Sequence, residues 1–130
     1  MIQTRSVLLG ERDYSRLQAV LKKSDPTTVR LLRNELDAAT VIPDADLAPD
    51  VVVMGSVVTF RDVLSSEEST VTLVYPPLAD ASRGCISVLA PVGAALIGLR
   101  VGESISWPVP KGGERHLEVV ALNNPDGDEP

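Results

Sequence analysis

The side chains that most often carry catalysis or bind metal ions are scarce in this sequence. It contains one histidine, His116, and one cysteine, Cys85. A zinc site needs several such ligands held together, and these two residues alone do not supply them. The sequence also lacks the glycine and lysine spacing of a phosphate-binding loop and the serine pattern of a nucleophile elbow. We therefore expect no catalytic residue, no metal site, no cofactor and no small-molecule substrate.

Apolar periodicity predicts the elements that position the remaining candidate residues. The first helical pattern contains Tyr14, Leu17, Val20 and Leu21, and the second contains Val29, Leu32, Leu36 and Ala39. Between them, Asp25 is a favoured helix N-cap and Pro26 is a favoured first helical residue. Residues 1–42 are therefore predicted to form an antiparallel helical hairpin, a short coiled coil with Lys22, Lys23 and Asp25 at its tip. Its narrow apolar stripe favours projection into solvent.

The second part of the chain has the pattern of a sheet domain. Residues 43–50 contain two prolines and three aspartates and are predicted to form a stiff linker. Between residues 51 and 123, short β-branched runs alternate with turn residues, which is typical of strands. Residues 51–54 and 57–60 are predicted to form one bent strand. The predicted fold is α+β, with an antiparallel sheet domain over 51–123 and an acidic tail over 124–130.

Residues 87–107 carry the clearest local signals. Pro91 has a fixed φ and lacks the N–H that a first helical turn leaves unpaired, so it suits the start of a helix. Gly98 stands where a short helix would end in a left-handed residue, and Gly102 suits a turn. We expect one short helix between two strands here, with Trp107 buried between that helix and the sheet.

Charge is unevenly distributed along the sequence. Residues 1–40 contain seven Lys/Arg and five Asp/Glu, whereas residues 41–130 contain five and thirteen. An acidic body of this kind disfavours direct DNA binding, because phosphates are repelled. No apolar run is long enough to cross a membrane or to form a signal peptide, and a single cysteine is typical of a reducing compartment. The sequence thus predicts a cytoplasmic protein.

Several stretches resemble a known family. They are Leu73-Val74-Tyr75-Pro76, the run from Ser87 to Trp107 that contains Leu89-Ala90-Pro91-Val92-Gly93, and His116-Leu117-Glu118-Val119-Val120. Together with residues 32–37, they resemble the regulator of nucleoside diphosphate kinase (Rnk) family. The same core is similar to the C-terminal domain of the GreA/GreB transcript cleavage factors, whose pattern it matches at Pro91, Ala95, Leu96, Ile97 and Gly98.

The resemblance implies an FKBP-like sheet domain that carries an N-terminal coiled-coil hairpin. It also implies docking at the rim of the RNA polymerase secondary channel, with the hairpin pointing inward. Pro91 corresponds to the proline of the family's rim contact, and its neighbours Leu89, Val92 and Gly93 complete the expected partner-binding site. Leu89 and Ala94 stand where some relatives have an acidic residue and an arginine.

The resemblance also bears on the choice between functions. Gre factors have two carboxylates at the hairpin tip that help to hold a catalytic Mg²⁺. Here Asp25 is followed three residues later by Thr28 rather than by a second carboxylate, and the predicted helices are shorter. The leading hypothesis is a non-enzymatic regulator that binds RNA polymerase and competes with Gre factors without stimulating cleavage. The alternatives are a cleavage factor that uses Asp25, and a prolyl isomerase or chaperone suggested by the FKBP-like fold.

Overall fold

The computed structural model describes residues 7–27, 29–108 and 113–125. The α-helices in these ranges are α1 (Glu11–Lys23), α2 (Arg30–Asp37) and α3 (Pro91–Leu96). The strands are β1 (Leu8–Gly10), β2 (Thr40–Ile42), β3 (Val57–Asp62), β4 (Glu68–Val74), β5 (Cys85–Ser87), β6 (Ser104–Pro108) and β7 (Glu114–Asn123). This is the α+β composition that the sequence predicts, with a helical segment followed by a sheet that contains one short helix.

Five strands form one sheet in the order β5-β4-β3-β7-β6. Neighbouring strands are antiparallel except β4 and β5, which are parallel, with Thr72 opposite Cys85 and Val74 opposite Ser87. The prediction of an antiparallel sheet is therefore wrong at this edge. Residues 75–84 cause the difference, because they cross over through two short 3₁₀ turns and return the chain to the direction of β4.

The local signals around α3 and β6 are confirmed. α3 begins at Pro91, and Gly98 and Gly102 have left-handed φ angles of 81° and 95°. Strand β6 ends at Pro108 and lies at the second edge of the sheet, where a proline costs no ladder hydrogen bond. The Trp107 side chain, which is predicted to be buried, and residues 109–112 lie outside the described part of the chain.

The valine-rich residues 51–54 do not form the first half of a bent strand, and that prediction is wrong. Their backbone bonds instead to the exit of α3, where the Val52 N–H donates to the Leu99 carbonyl at 2.7 Å. Gly55 then turns the chain with a φ of 90°, and β3 begins at Val57. A β-branched run fits a buried loop as well as a strand, so composition alone does not separate the two.

A second, smaller sheet joins the two ends of the helical segment, and the apolar periodicity does not predict it. β1 and β2 pair in parallel, with Leu8 opposite Thr40 and Gly10 opposite Ile42. α1 starts directly after β1, and β2 follows shortly after α2. The two helices therefore begin and end at a common base.

The apolar faces of α1 and α2 belong to the same core as the sheet. Buried members of this core include Leu17, Leu21, Leu32 and Leu36 from the helices and Val58, Leu73, Leu117 and Val119 from the sheet. α2 lies against α3, and α1 lies against β1 and β2. The expectation that the hairpin projects into solvent is therefore wrong. Helices this short are marginal on their own, and burying one leucine is worth about 1.5–3 kcal/mol.

The side chain of Asn124, directly after β7, forms hydrogen bonds to the segment that precedes the sheet. Its side-chain nitrogen donates to the carbonyls of Pro49 at 3.1 Å and Val51 at 2.9 Å, while its side-chain oxygen accepts from the buried Ser56 hydroxyl. The predicted linker and the start of the predicted tail thus meet in one hydrogen-bonded junction. Residues 126–130, the rest of the predicted tail, lie outside the described residues.

Candidate functional site

The turn that leads into α3 places the residues of the predicted partner-binding site. Ser87, at the end of β5, accepts two hydrogen bonds. Its hydroxyl oxygen accepts the Leu89 N–H at 2.9 Å, and its carbonyl oxygen accepts the Ala90 N–H at 3.0 Å. Ala90 is extended, with φ −68° and ψ 151°, and Pro91 follows as the first helical residue. These bonds hold the start of α3 in one orientation relative to the sheet.

Gly93 sits where α3 comes closest to the backbone of that turn. A Cβ at this position would collide with the Ser87 carbonyl oxygen and lie 3.0 Å from the Val88 Cα. Gly93 is buried, so it acts on the predicted site by letting the helix approach, not by presenting a side chain.

Among the predicted partner-binding residues near α3, Leu89 and Val92 have described side chains that reach the surface. Both are half-buried and pack against the core on one side. The backbone of Pro91 lies between them, while its side chain is outside the described part of the chain. The structure therefore places Leu89 shortly before and Val92 directly after the first residue of α3, and the Gly93 contact follows next in the chain.

The predicted hairpin tip is a turn that joins α1 to α2. The Asp25 carboxylate accepts the Thr27 N–H at 3.0 Å, and its carbonyl accepts the Val29 N–H at 3.2 Å. α2 begins only at Arg30, without a side-chain cap, so the prediction that Asp25 caps this helix is wrong. A local aspartate turn satisfies the carboxylate first, and this competes with helix formation. Lys22 and Lys23 are the last two residues of α1, beside this turn, and both are exposed.

A half-buried carboxylate, that of Asp13, connects α1 to the segment before β3. It accepts the Met54 N–H at 3.1 Å, and Arg16 and Asp44 are its charged neighbours. Burial raises the pKa of Asp13 above its ordinary value, and the negative charge of Asp44 adds to this, while the Met54 bond and Arg16 oppose it. Burial and the nearby Asp13 charge also raise the pKa of Tyr75 to about 12.

Asp13 also lines a cavity of about 390 Å³ between the first turns of α1, the predicted linker and the end of β7. Its charged lining residues are Arg12, Arg16, Asp13 and Asp44, so positive and negative charges balance. Asp13 is not among the candidate residues that the sequence predicts. The signal for it was available, because Asp13 precedes the buried Leu17 and Leu21 at i, i+4 and i+8 spacing and so falls on the apolar face of α1.

Asp13→Asn is expected to change how stability depends on pH. Because the pKa of Asp13 is raised on folding, the folded protein holds a proton at pH values where the unfolded chain has released it. Stability therefore falls as pH rises from the ordinary value of 3.8 through the raised pKa. Asparagine keeps an oxygen for the Met54 N–H and carries no charge. The variant should thus gain stability relative to wild type as pH rises, in urea titrations from about pH 3 to pH 8.

Asp37→Asn, at an exposed position on α2, is the matched control for the loss of one negative charge. A constant difference in unfolding free energy between Asp13→Asn and wild type across this pH range would contradict the prediction.

The described residues offer neither a metal-binding cluster nor a membrane-spanning helix. They contain no group of three or more His, Cys, Asp or Glu side chains that could hold a metal ion. Within the same ranges, no helix has the length and apolar character required to cross a membrane.

Comparison with known families assigns the sheet domain. The family model of the C-terminal part of transcription elongation factors GreA and GreB matches residues 47–124, which contain the five-stranded sheet and α3. Residues 47–124 thus form a domain of the GreA/GreB C-terminal family.

Relatives that match most of the chain identify a smaller family within this class. "Regulator of nucleoside diphosphate kinase" of Escherichia coli (strain K12) is 39% identical over 120 residues, which cover 90% of this chain and 88% of the relative. Transcription elongation factor GreA of Geobacillus kaustophilus (strain HTA426) is 36% identical over 94 residues, which cover 72% of this chain and 59% of GreA. The chain belongs to the regulator of nucleoside diphosphate kinase (Rnk) family, and it is related to the Gre factors.

Solved structures agree with this assignment. A prokaryotic transcription elongation factor GreA/GreB from Nitrosomonas europaea superposes with a TM-score of 0.74 at 39% identity, covering 92% of this chain and 98% of that one. GreA factor homolog 1 (Gfh1) of Thermus thermophilus gives a TM-score of 0.51 at 27% identity, covering 92% of this chain and all of that one. The protein is therefore a regulator of the transcription-factor type.

Proposed function

We propose that this protein binds RNA polymerase at the rim of the secondary channel and competes there with Gre factors without stimulating transcript cleavage. The partner is supported by the relatives, which are named transcription elongation factors and share the domain over residues 47–124. The acidic body of the chain makes a protein partner more favourable than naked DNA.

The start of α3 is the proposed docking site. Leu89 and Val92 present apolar surface there, and the backbone between them is fixed by the two Ser87 acceptors. A binding surface that is already ordered loses little conformational entropy when it meets its partner. Gly93 contributes by allowing the close contact that sets the direction of α3.

The proposal that the protein does not stimulate cleavage rests on the short helices of the hairpin and on the carboxylates available at its tip. α1 contains 13 residues and α2 contains 8, which correspond to lengths of about 20 Å and 12 Å, and both pack back on the core. The tip offers the carboxylate of Asp25, which accepts the Thr27 N–H, and Thr28 follows where Gre factors would have a second acid. Mg²⁺ requires several oxygen ligands in close octahedral geometry, and a tip of this kind is poorly suited to supply them.

A transcript cleavage assay on backtracked polymerase complexes tests the proposal. The purified protein alone should release no short 3′ RNA fragments above the background of polymerase itself. Added to reactions that contain a Gre factor, it should reduce cleavage, and more Gre factor should restore it. Asp25→Asn should compete as well as wild type, because Asp25 has no role at the active centre in this proposal.

A test variant and a matched control show which surface carries the competition. Val92→Glu places a charge on the half-buried side chain at the proposed docking site and should abolish most of the competition. Leu64→Glu makes the same type of change on an exposed turn between β3 and β4 and should compete normally. Cleavage stimulated by the protein itself and lost in Asp25→Asn would overturn the non-catalytic assignment.

A further inference from the structure

Four exposed cations lie on either side of the turn at the hairpin tip. Lys22 and Lys23 end α1, Arg30 begins α2, and Arg33 stands one turn further along α2. None of the four makes an ion pair with a carboxylate among the described residues. We call this group the basic tip.

The arginines of the sheet domain whose side chains are described behave differently. Arg61 pairs with Glu118 at 3.0 Å and lies 3.9 Å from Glu68. In the same way, Arg83 lies 3.8 Å from Asp80 and Arg100 lies 3.4 Å from Asp50. In a chain with a net charge of −6, carboxylates are abundant. Arg12 and Arg16, in the first turns of α1, line one cavity together with the carboxylates of Asp13 and Asp44. The basic tip instead groups four exposed cations around a turn that contains one carboxylate, Asp25.

Helix stability does not explain the whole basic tip. Lys22 and Lys23 lie in the last turn of α1, where a positive charge interacts favourably with the helix dipole. Arg30 lies in the first turn of α2, which contains no acidic residue, and there a positive charge opposes the dipole. Arg30 therefore stands at a position where an acidic or neutral residue would serve the fold better, which points to a role outside the folded chain.

We propose that the basic tip binds a cluster of carboxylates on the surface of the RNA polymerase that the start of α3 engages. This inference rests on the proposed function and adds a second, electrostatic contact to it. α2 packs against α3, so the basic tip is held in a fixed position relative to the docking site, and both contacts can form together. Opposite charges within a Debye length of about 8–10 Å attract strongly enough to orient the bound protein.

A protein surface fits the basic tip better than nucleic acid does. Residues 41–130 contain thirteen Asp/Glu and five Lys/Arg, so most of the molecule repels an extended polyanion. Four cations around one short turn match a compact acidic patch, whereas a phosphate backbone is extended and would also meet the acidic remainder of the chain. Binding to nucleic acid remains the competing outcome that the experiment below is designed to detect.

The test measures the dissociation constant of the full chain for core RNA polymerase without nucleic acid, at several salt concentrations. Lys22→Gln/Lys23→Gln lowers the net charge by two, and Arg30→Gln lowers it by one. Matched controls are Val63→Glu/Leu64→Glu and Leu64→Glu, which make the same net changes at exposed positions on the turn between β3 and β4. We expect the basic-tip variants to bind about 5- to 20-fold more weakly at low salt and to show a smaller salt dependence. The controls should bind as wild type does.

Thermal melting separates binding from folding. Arg30→Gln removes a charge that opposes the helix dipole, so its melting temperature should equal or exceed that of wild type even though its binding is weaker. Weak binding accompanied by a lower melting temperature would instead indicate damage to the fold and would overturn the inference for this residue.

Each remaining outcome has a distinct meaning. If wild type does not bind polymerase at all, the proposed function fails. If wild type binds and the basic-tip variants bind equally well, or if the controls lose as much affinity, the proposed function stands and the basic tip has no specific contact. If the loss appears only with polymerase that carries a DNA–RNA scaffold, the ligand is nucleic acid and the assignment to a protein surface is wrong.

Discussion

Gly93→Ala is expected to destabilise the protein by about 2–3 kcal/mol, because the added methyl group has no room at the start of α3. The atoms it would meet belong to the backbone of Ser87 and Val88, which cannot rotate away as a side chain could. The helix must shift instead, and the shift moves Leu89 and Val92. Urea unfolding should show the loss of stability, and under the proposed function the binding of RNA polymerase should weaken as well.

Gly102→Ala is the matched control for this change. Gly102 has a φ of 95°, but a Cβ there would meet no atom within 4 Å. Its cost should reflect the left-handed backbone alone, about 1 kcal/mol, with normal polymerase binding. Equal stability of Gly93→Ala and wild type would mean that α3 does not need this close approach.

Local signals in the sequence were sufficient for the elements that proline and glycine delimit. Pro91 and Gly98 bracket α3 because one supplies a fixed φ and the other a left-handed residue, and both requirements are local. The β-branched alternation in β4 and β7 likewise predicts strands, since one face of each is buried. Elements of this kind are predictable because the residues that decide them are close in sequence.

Features that depend on distant partners were not predictable in the same way. The parallel pairing of β4 and β5 is decided by how residues 75–84 cross over, and residues 51–54 form a loop because they meet the exit of α3. The packing of α2 on α3 is a further example, because an apolar stripe does not reveal which surface will cover it. The buried pairs that decide these features are far apart in the chain.

The same distinction between local and distant contacts applies to the residues of the candidate site. Pro91 and its neighbours were identified through a family resemblance, and their local geometry follows from Ser87 and Gly93. Asp25 was expected to cap α2, but a turn of its own takes the carboxylate. Asp13 was not predicted, although its spacing of four and eight residues from the buried Leu17 and Leu21 places it on the apolar face of α1.

Leu32→Ala should cost about 2–5 kcal/mol, which is the largest stability effect that we expect from a single substitution in this chain. Leu32 lies on α2 and is fully buried in the core that also contains Leu96 and Ile97 near α3. If the hairpin were a separate unit, this change would unfold only the hairpin and leave the sheet domain intact. Because the core is shared, the cavity should destabilise the whole molecule, and unfolding should remain a single transition.

The measurement follows urea unfolding with two probes, the far-ultraviolet circular dichroism of the helices and the fluorescence of Trp107 in β6. The two curves should coincide in Leu32→Ala and shift together to lower urea. Leu64→Ala is the control for the loss of the same atoms, and because Leu64 is 77% exposed its cost should be below about 0.5 kcal/mol. Two separate transitions in Leu32→Ala, with the fluorescence change at the wild-type midpoint, would show that the hairpin folds independently. The basic tip would then no longer be held in place relative to the start of α3.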